Sequence, residues 1–341
     1  MNPTPARPLG AARPNRQRRT AQVLLGLLVG LSCAICAPAR AQPLAADEFR
    51  VTLLGTGSPA PAMNRFGPGV LVQAGGKNLL IDSGRGGTQR LRQAGLRLGQ
   101  VDAVFLTHLH SDHVVGLPDL WLTGWLQTDY AQRKGPFVVF GPTGTQALMD
   151  GLAKAFDWDI QARIADQQLD PAVIRAQVTE IKPGVVFDQG GVRVTAIEVD
   201  HGELLKPAFG FRIEHAGRSV TVSGDTRFSE NLIKQAAGTD LLIHQVAAVR
   251  AELLANPVFK IILAHHTQPE EAGIVFTRVK PKLAVYYHFV LLGTPGVPAV
   301  KEADVFDMTR KTYAGPLLIG EDLMAFRLDA DQVVPLPRRV P

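Results

Sequence analysis

Within Thr107-His108-Leu109-His110-Ser111-Asp112-His113, three histidines and one carboxylate fall inside six residues. Imidazole and carboxylate at this density suit zinc or a similar divalent ion, with open positions left for water. The segment follows the apolar run Val101–Leu106, which reads as a strand buried on both faces. Its side chains then emerge at a sheet edge, where sites on layered folds lie. An extended backbone puts His108, His110 and Asp112 on one side, and the turn into the next helix brings His113 round. One histidine on an apolar face is ordinarily a packed core residue. Four potential ligands this close are not, because buried charge seldom goes unpaired.

The elements that must position them follow from the hydrophobic pattern. Phe49–Leu54, Val70–Gln73 and Asn78–Ile81 read as strands between Gly/Pro turns. A helix is expected around Thr88–Ala94, helical spacing covers residues 113–126 and 143–156, and Pro136–Phe140 reads as a strand between them. Asp157–Thr179 is polar and weakly patterned. Strands Val192–Val199, Ala208–Ile213 and Ser219–Ser223 follow, then helices Ser229–Ala237 and Pro269–Val279 alternate with strands Leu241–His244 and Leu283–Tyr287. Leu317–Ile319 and Leu323–Leu328 close the tail. Two mixed sheets packed face to face, with helices outside, satisfy this order. No linker divides the body, so residues 42–341 are expected to form a single domain.

The His-x-His-x-Asp-His segment resembles the signature of the metallo-β-lactamase superfamily. Leu54-Gly55-Thr56-Gly57-Ser58-Pro59, Asp82-Ser83-Gly84-Arg85-Gly86-Gly87-Thr88-Gln89 and Ser223-Gly224-Asp225-Thr226 are similar to motifs of its ribonuclease Z and arylsulfatase-like branch. The resemblance covers roughly residues 50–328. It implies an α/β fold, an αββα four-layer sandwich with a two-metal site at one edge of its sheets. By resemblance one divalent ion, zinc in the family, binds His108, His110 and His201. The other binds Asp112, His113 and His288, with Asp225 between them. Taken singly, His201 and His288 also read as surface histidines, and Asp225 as a helix N-cap. His266, in Ala264-His265-His266-Thr267, matches a histidine that assists the departing group, with His265 one residue away as the alternative. His215 and His244 match no role and read as structural.

Such a site hydrolyses esters through hydroxide bridging two ions, so no Ser or Cys nucleophile is required. Asp112 or Asp225 is placed to accept its proton, and His266 to donate one. Phosphate, sulfate and carboxylate esters, lactones and β-lactams all fit this chemistry. The ribonuclease Z members carry a tRNA-binding arm between the third histidine and the Gly-Asp-Thr motif, whereas His201 and Asp225 lie only 24 positions apart. Those members also have Glu where this chain has Gln245. Leu117-Pro118-Asp119-Leu120-Trp121-Leu122 and Gly141-Pro142-Thr143-Gly144-Thr145 look instead like the arylsulfatase-like members. The expectation is therefore hydrolysis of a small aryl or alkyl ester, arylsulfatase- or phosphodiesterase-like. A 3′-tRNA-processing endoribonuclease, a lactonase or a β-lactamase is the alternative on the same site, and a non-catalytic binding module the alternative of another class. The resemblance also suggests a homodimer.

Charge and leader complete the reading. The 341 residues carry a formal charge of +5, which would ordinarily raise nucleic acid as a partner. Residues 1–41 hold six arginines and no acid, however, and the rest has 30 basic against 31 acidic residues, a net charge of −1. Nucleic acid is not expected as a partner. Arg16, Arg18 and Arg19 precede an apolar run from Ala21 to Ala37, and Ala39-Arg40-Ala41 supplies a small-x-small cleavage site before Gln42. This is the layout of a secretory signal peptide, with an uncleaved anchor as the alternative. A periplasmic or secreted protein with no membrane association after cleavage is expected. Cys33 and Cys36 both lie in the leader, which leaves a mature chain without disulfides or thiolate ligands.

Overall fold

The computed structural model describes residues 47–338, all within one compact unit. The expected leader, residues 1–41, lies outside the described residues. Eight strands form the first sheet, in the order β15-β14-β1-β2-β3-β4-β5-β6. They are β1 Arg50–Gly55, β2 Gly69–Ala74, β3 Lys77–Ile81, β4 Ala103–Phe105, β5 Phe137–Gly141, β6 Ala176–Glu180, β14 Ala325–Leu328 and β15 Val333–Leu336. The second sheet runs β13-β12-β11-β10-β9-β8-β7. Its members are β7 Gly184–Gln189, β8 Val192–Val199, β9 Ala208–His215, β10 Arg218–Val222, β11 Leu241–Val249, β12 Leu283–Leu292 and β13 Leu317–Ile319.

Alternation sorts each strand between layers. In β3, Leu79 and Ile81 enter the core between the sheets, while Leu80 faces outward. In β11, Leu241 and Ile243 point inward and Leu242 outward. Phe105 stacks on Phe140 at 4.9 Å and meets Phe187 and Phe211 edge-on, bridging the two sheets with aromatic pairs. Helices α1 Gly87–Gln93, α2 Ser111–Val114, α3 Leu117–Trp125, α4 Thr145–Ala155, α5 Asp157–Gln167 and α6 Pro171–Ile174 follow in the first half. All but α2 contribute buried apolar residues to the outer face of the first sheet. Helices α7 Glu230–Ala236, α8 Pro257–Ala264, α9 Pro269–Val279 and α10 Glu302–Arg310 belong to the second half, and α7, α9 and α10 cover its sheet. The fold is an αββα four-layer sandwich, as the sequence implied. Among the described residues, no helix is long and apolar enough to cross a membrane.

Three expectations need correcting. The stretch 157–179 holds α5, α6 and β6 rather than irregular chain. Strands β11 and β12 run past His244 and Tyr287 to Val249 and Leu292. The polar residues that seemed to end them, His244, Gln245 and His288, are buried between neighbouring strands. Asp112 belongs to the one-turn helix α2, not to an extended segment.

A buried carboxylate ties the turn before β14 to the loop after β1 and to α1. Asp322, fully buried, accepts from the backbone N–H groups of Thr56 (2.9 Å) and Phe66 (2.8 Å), from the Thr56 hydroxyl, and from two nitrogens of Arg90. Removing one member of a buried hydrogen-bonded ion pair strands the other. Asp322→Ala is expected to cost about 3–5 kcal/mol in urea unfolding. A loss below about 1 kcal/mol would mean that water replaces the carboxylate at little cost.

Candidate metal centre

The ligand candidates sit where strands end or break. His108 and His110 follow β4, Asp112 and His113 lie on α2, His201 follows β8 and Asp225 follows β10. His288 is different. It stands inside β12, where the register with β11 slips between Gln245 and Val246, and its φ of 45° marks a bulge residue. Bulges re-aim side chains beside active sites, and this one turns His288 out of the ladder. Gly224, at φ 59°, provides a second special backbone position. A Cβ there would collide with the Phe209 carbonyl oxygen, so Asp225 enters the site on a turn that only glycine permits.

The seven side chains converge in two groups. In the first, His108 Nε2 and His201 Nε2 lie 3.0 and 3.2 Å from His110 Nδ1. In the second, His288 Nε2 lies 3.1 Å from His113 Nε2 and 3.3 Å from Asp112 Oδ2. Asp225 Oδ2 stands between the groups, 3.3 Å from His288, 3.4 Å from His113, 3.8 Å from His201 and 4.0 Å from His108.

Partners behind the site fix the imidazole tautomers. His113 Nδ1 donates to Asp82 Oδ2 at 2.8 Å, and His201 Nδ1 donates to the His265 carbonyl at 3.0 Å. The Thr107 hydroxyl donates to Asp82 and so accepts from His108 Nδ1 at 3.0 Å. In its neutral form each of these three rings turns an Nε2 lone pair inward. Five imidazoles and two carboxylates are thus packed with ring nitrogens and carboxylate oxygens about 3–4 Å apart, a crowding that cations lying among them would relieve. Asp225 Oδ1 and His288 Nδ1 are buried with no protein partner. This donor set fits divalent metal.

The electrostatics agree. Burial pushes His108 well below the usual imidazole range, and His110 and His201 are lowered for the same reason. Burial opposes ionisation of Asp225, yet His288 and His113 hold its carboxyl well below the usual range. Burial likewise disfavours a charged His113, but Asp225 and Asp82 overcome it and raise this imidazole well above its ordinary value. The carboxylates favour positive charge at this point of the site, whether carried by the ring or by a bound cation.

His266 joins the cluster near His201 and Asp225, whereas His265 contributes its backbone carbonyl. Gln245 Nε2 donates to the Thr226 carbonyl at 2.6 Å, which aims its Oε1 at His266 Nδ1, 2.9 Å away. His266 therefore donates through Nδ1 and keeps a lone pair on Nε2. Burial pushes its pKa down to about 3. In this arrangement the imidazole is neutral and turns an acceptor toward the site, where the sequence reading expects a donor. His215 and His244 lie apart, the first bonded to the Gly191 carbonyl and the second packed edge-on against Phe276.

Asp82 is the residue that sequence reasoning missed. It also accepts from the Thr107 backbone N–H at 2.8 Å, locking the turn that carries His108 and His110. A carboxylate directly after a strand that runs beside the ligand-bearing one was the available signal. Asp82→Ala is expected to weaken metal binding 10–100-fold, read by competition with a chromogenic chelator. Unchanged affinity would show that Thr107 alone sets the His113 ring.

Fold and site together define a metal-dependent hydrolase of the metallo-β-lactamase fold. The sequence profile of a family described as anti-Pycsar protein Apyc1 matches residues 49–255. A ribonuclease Z of Mycolicibacterium gilvum (strain PYR-GCK) is 38% identical over 280 residues, 81% of this chain and 94% of that protein. The chain belongs to the family that this profile describes, within the ribonuclease Z-like branch of the metallo-β-lactamase superfamily. Among solved structures, the metallo-β-lactamase fold protein YhfI from Bacillus subtilis has a TM-score of 0.61 at 19% identity, covering 82% of this chain and all of that one. The short form of human tRNase Z has a TM-score of 0.59 at 24% identity, covering 81% of this chain and 98% of that one.

These relatives overturn the expectation that nucleic acid is no partner and that the substrate is a small ester. The Mycolicibacterium protein is named for action on RNA, and its alignment uses nearly its whole length. With 81% of this chain matched to 94% of that protein, the short spacing between His201 and Asp225 does not by itself exclude RNA. A net charge summed over 300 residues also says nothing about the charge of the surface around the site.

Proposed function

We propose that the protein is a two-metal phosphodiesterase acting on RNA, an endoribonuclease of the 3′-tRNA-processing kind. The observation that carries this reading is the seven-ligand cluster in a chain aligned to 94% of a ribonuclease Z. His108, His110 and His201 would hold one ion and Asp112, His113 and His288 the other, with Asp225 shared. Imidazole and carboxylate donors suit zinc. Bound ions lower the pKa of water and neutralise charge on phosphoryl oxygens. Asp225 and Asp112 stay ionised at working pH, since the neighbouring imidazoles outweigh burial and hold both carboxyls low. The His266 lone pair accepts a hydrogen bond in the site and orients its donor.

The test offers the zinc-loaded protein a labelled RNA with an acceptor-stem hairpin and a 3′ extension, with bis-p-nitrophenyl phosphate in parallel. Discrete cleavage of the RNA, abolished by a chelator, is expected. Turnover of the small diester with intact RNA at equal enzyme would overturn the RNA reading. The reading retains export through residues 1–41, so the enzyme would meet RNA outside the cytosol. Secreted protein beginning at Gln42 supports that, and an intact Met1 in the membrane fraction overturns it.

A further inference from the structure

We infer that a groove beside His266 is the subsite for the nucleotide next to the scissile phosphate, an inference that rests on the RNA reading. The groove is a cavity of about 380 Å³ whose lining includes His266, Arg227, Phe228, Leu254, Lys260 and Glu271, a volume within the range of small-ligand pockets. It is continuous with the metal centre through His266, and Arg227 and Phe228 follow Asp225 by two and three residues. A chain held at the cluster by one phosphate has this groove as its next station.

The lining has the parts that single-stranded RNA uses. Phe228 and the half-exposed Leu254 provide an apolar wall. Arg227 is clamped by Asp200 at 2.7 Å, with Glu203 at 3.6 Å, both on the loop that carries His201. The clamp holds its guanidinium as a flat cation, a surface on which bases stack. Lys260, exposed on α8, makes no ion pair within 4 Å among the described residues, which leaves its ammonium for a phosphate. Glu271 is the one acid of the lining, and its carboxylate accepts from the Gln268 backbone N–H at 2.9 Å. An apolar wall, a fixed planar cation and a free ammonium fit a base and its phosphate. A small diester can place at most an aryl ring there and has no second phosphate for Lys260.

The experiment compares Lys260→Ala, Lys260→Arg and Arg227→Ala with the parent zinc enzyme on a labelled single-stranded RNA and on bis-p-nitrophenyl phosphate. The ratio of kcat/KM for RNA to that for the small diester is expected to fall about tenfold in each alanine variant, mainly through KM. Lys260→Ala should also flatten the dependence of log KM on log salt by about 0.7, while Lys260→Arg restores it. A ratio unchanged in both alanine variants, with RNA still cleaved, overturns the subsite alone. A parallel loss on both substrates also overturns it, because the residues would then support the metal centre. A parent enzyme that turns over only the small diester overturns the RNA reading and the subsite with it.

Discussion

Asp225→Ala is expected to lose both ions and the activity in one step. Among the described residues, its Oδ2 is the only carboxylate oxygen within 4.0 Å of histidines from both ligand groups, and its Oδ1 has no protein partner. Removing it leaves the inward-facing nitrogens around a space with no shared anion, so each ion loses a ligand and the charge that offsets its neighbour. Metal analysis of the purified variant should show fewer than one ion per chain. The specificity constant should fall by at least about 10³-fold, at or beyond the cost of deleting one preorganised group at a developing charge. Asp225→Asn keeps the shape and removes the charge, so its metal affinity should lie between parent and alanine. Two ions retained by Asp225→Ala would show that the two groups hold metal independently. Gly224→Ala should copy part of the loss, because it displaces the turn and leaves the ligand in place.

How much of this was legible in the sequence depended on how local each signal is. His108 to His113 announce themselves because a strand end and a one-turn helix bring consecutive residues together, and no long-range information is needed. His201, Asp225 and His288 entered only through resemblance, since nothing in their own neighbourhoods separates a ligand from a surface histidine or a helix cap. His288 was also misplaced, at a strand terminus. A bulge is a mismatch between two strands, and β12 alone cannot reveal that β11 is one residue short opposite it. The same reason hid Asp82 and Asp322. Each is a carboxylate whose partners come from distant segments, and a polar residue looks like a turn until the donors around it are known. The layer order was legible because alternation inside each strand repeats whatever its neighbours are.

The pair Gln245 and His266 gives the second large effect, because the hydrogen bond between them sets which His266 nitrogen carries the proton. With its pKa pushed down to about 3 by burial, His266 does not titrate between pH 5 and 9. His266→Ala is therefore expected to lower RNA turnover about 10²-fold, through lost positioning, by a constant factor across that range. Gln245→Glu replaces the amide oxygen, 2.9 Å from His266 Nδ1, with an anion. A carboxylate there stabilises the imidazolium, so the His266 pKa rises and the protonated form gains weight below it. A proton on Nε2 then faces the site. A ribose alkoxide is a basic leaving group that gains from such a proton, while p-nitrophenolate gains little. The variant's RNA rate, relative to its rate on bis-p-nitrophenyl phosphate, should therefore rise as pH falls toward the new pKa, a limb that the parent lacks. A variant profile parallel to the parent's on both substrates would mean that the Glu side chain turns away toward Thr226. In that event Gln245 would be tying β11 to the Asp225 turn, and the His266 proton would be set by burial alone.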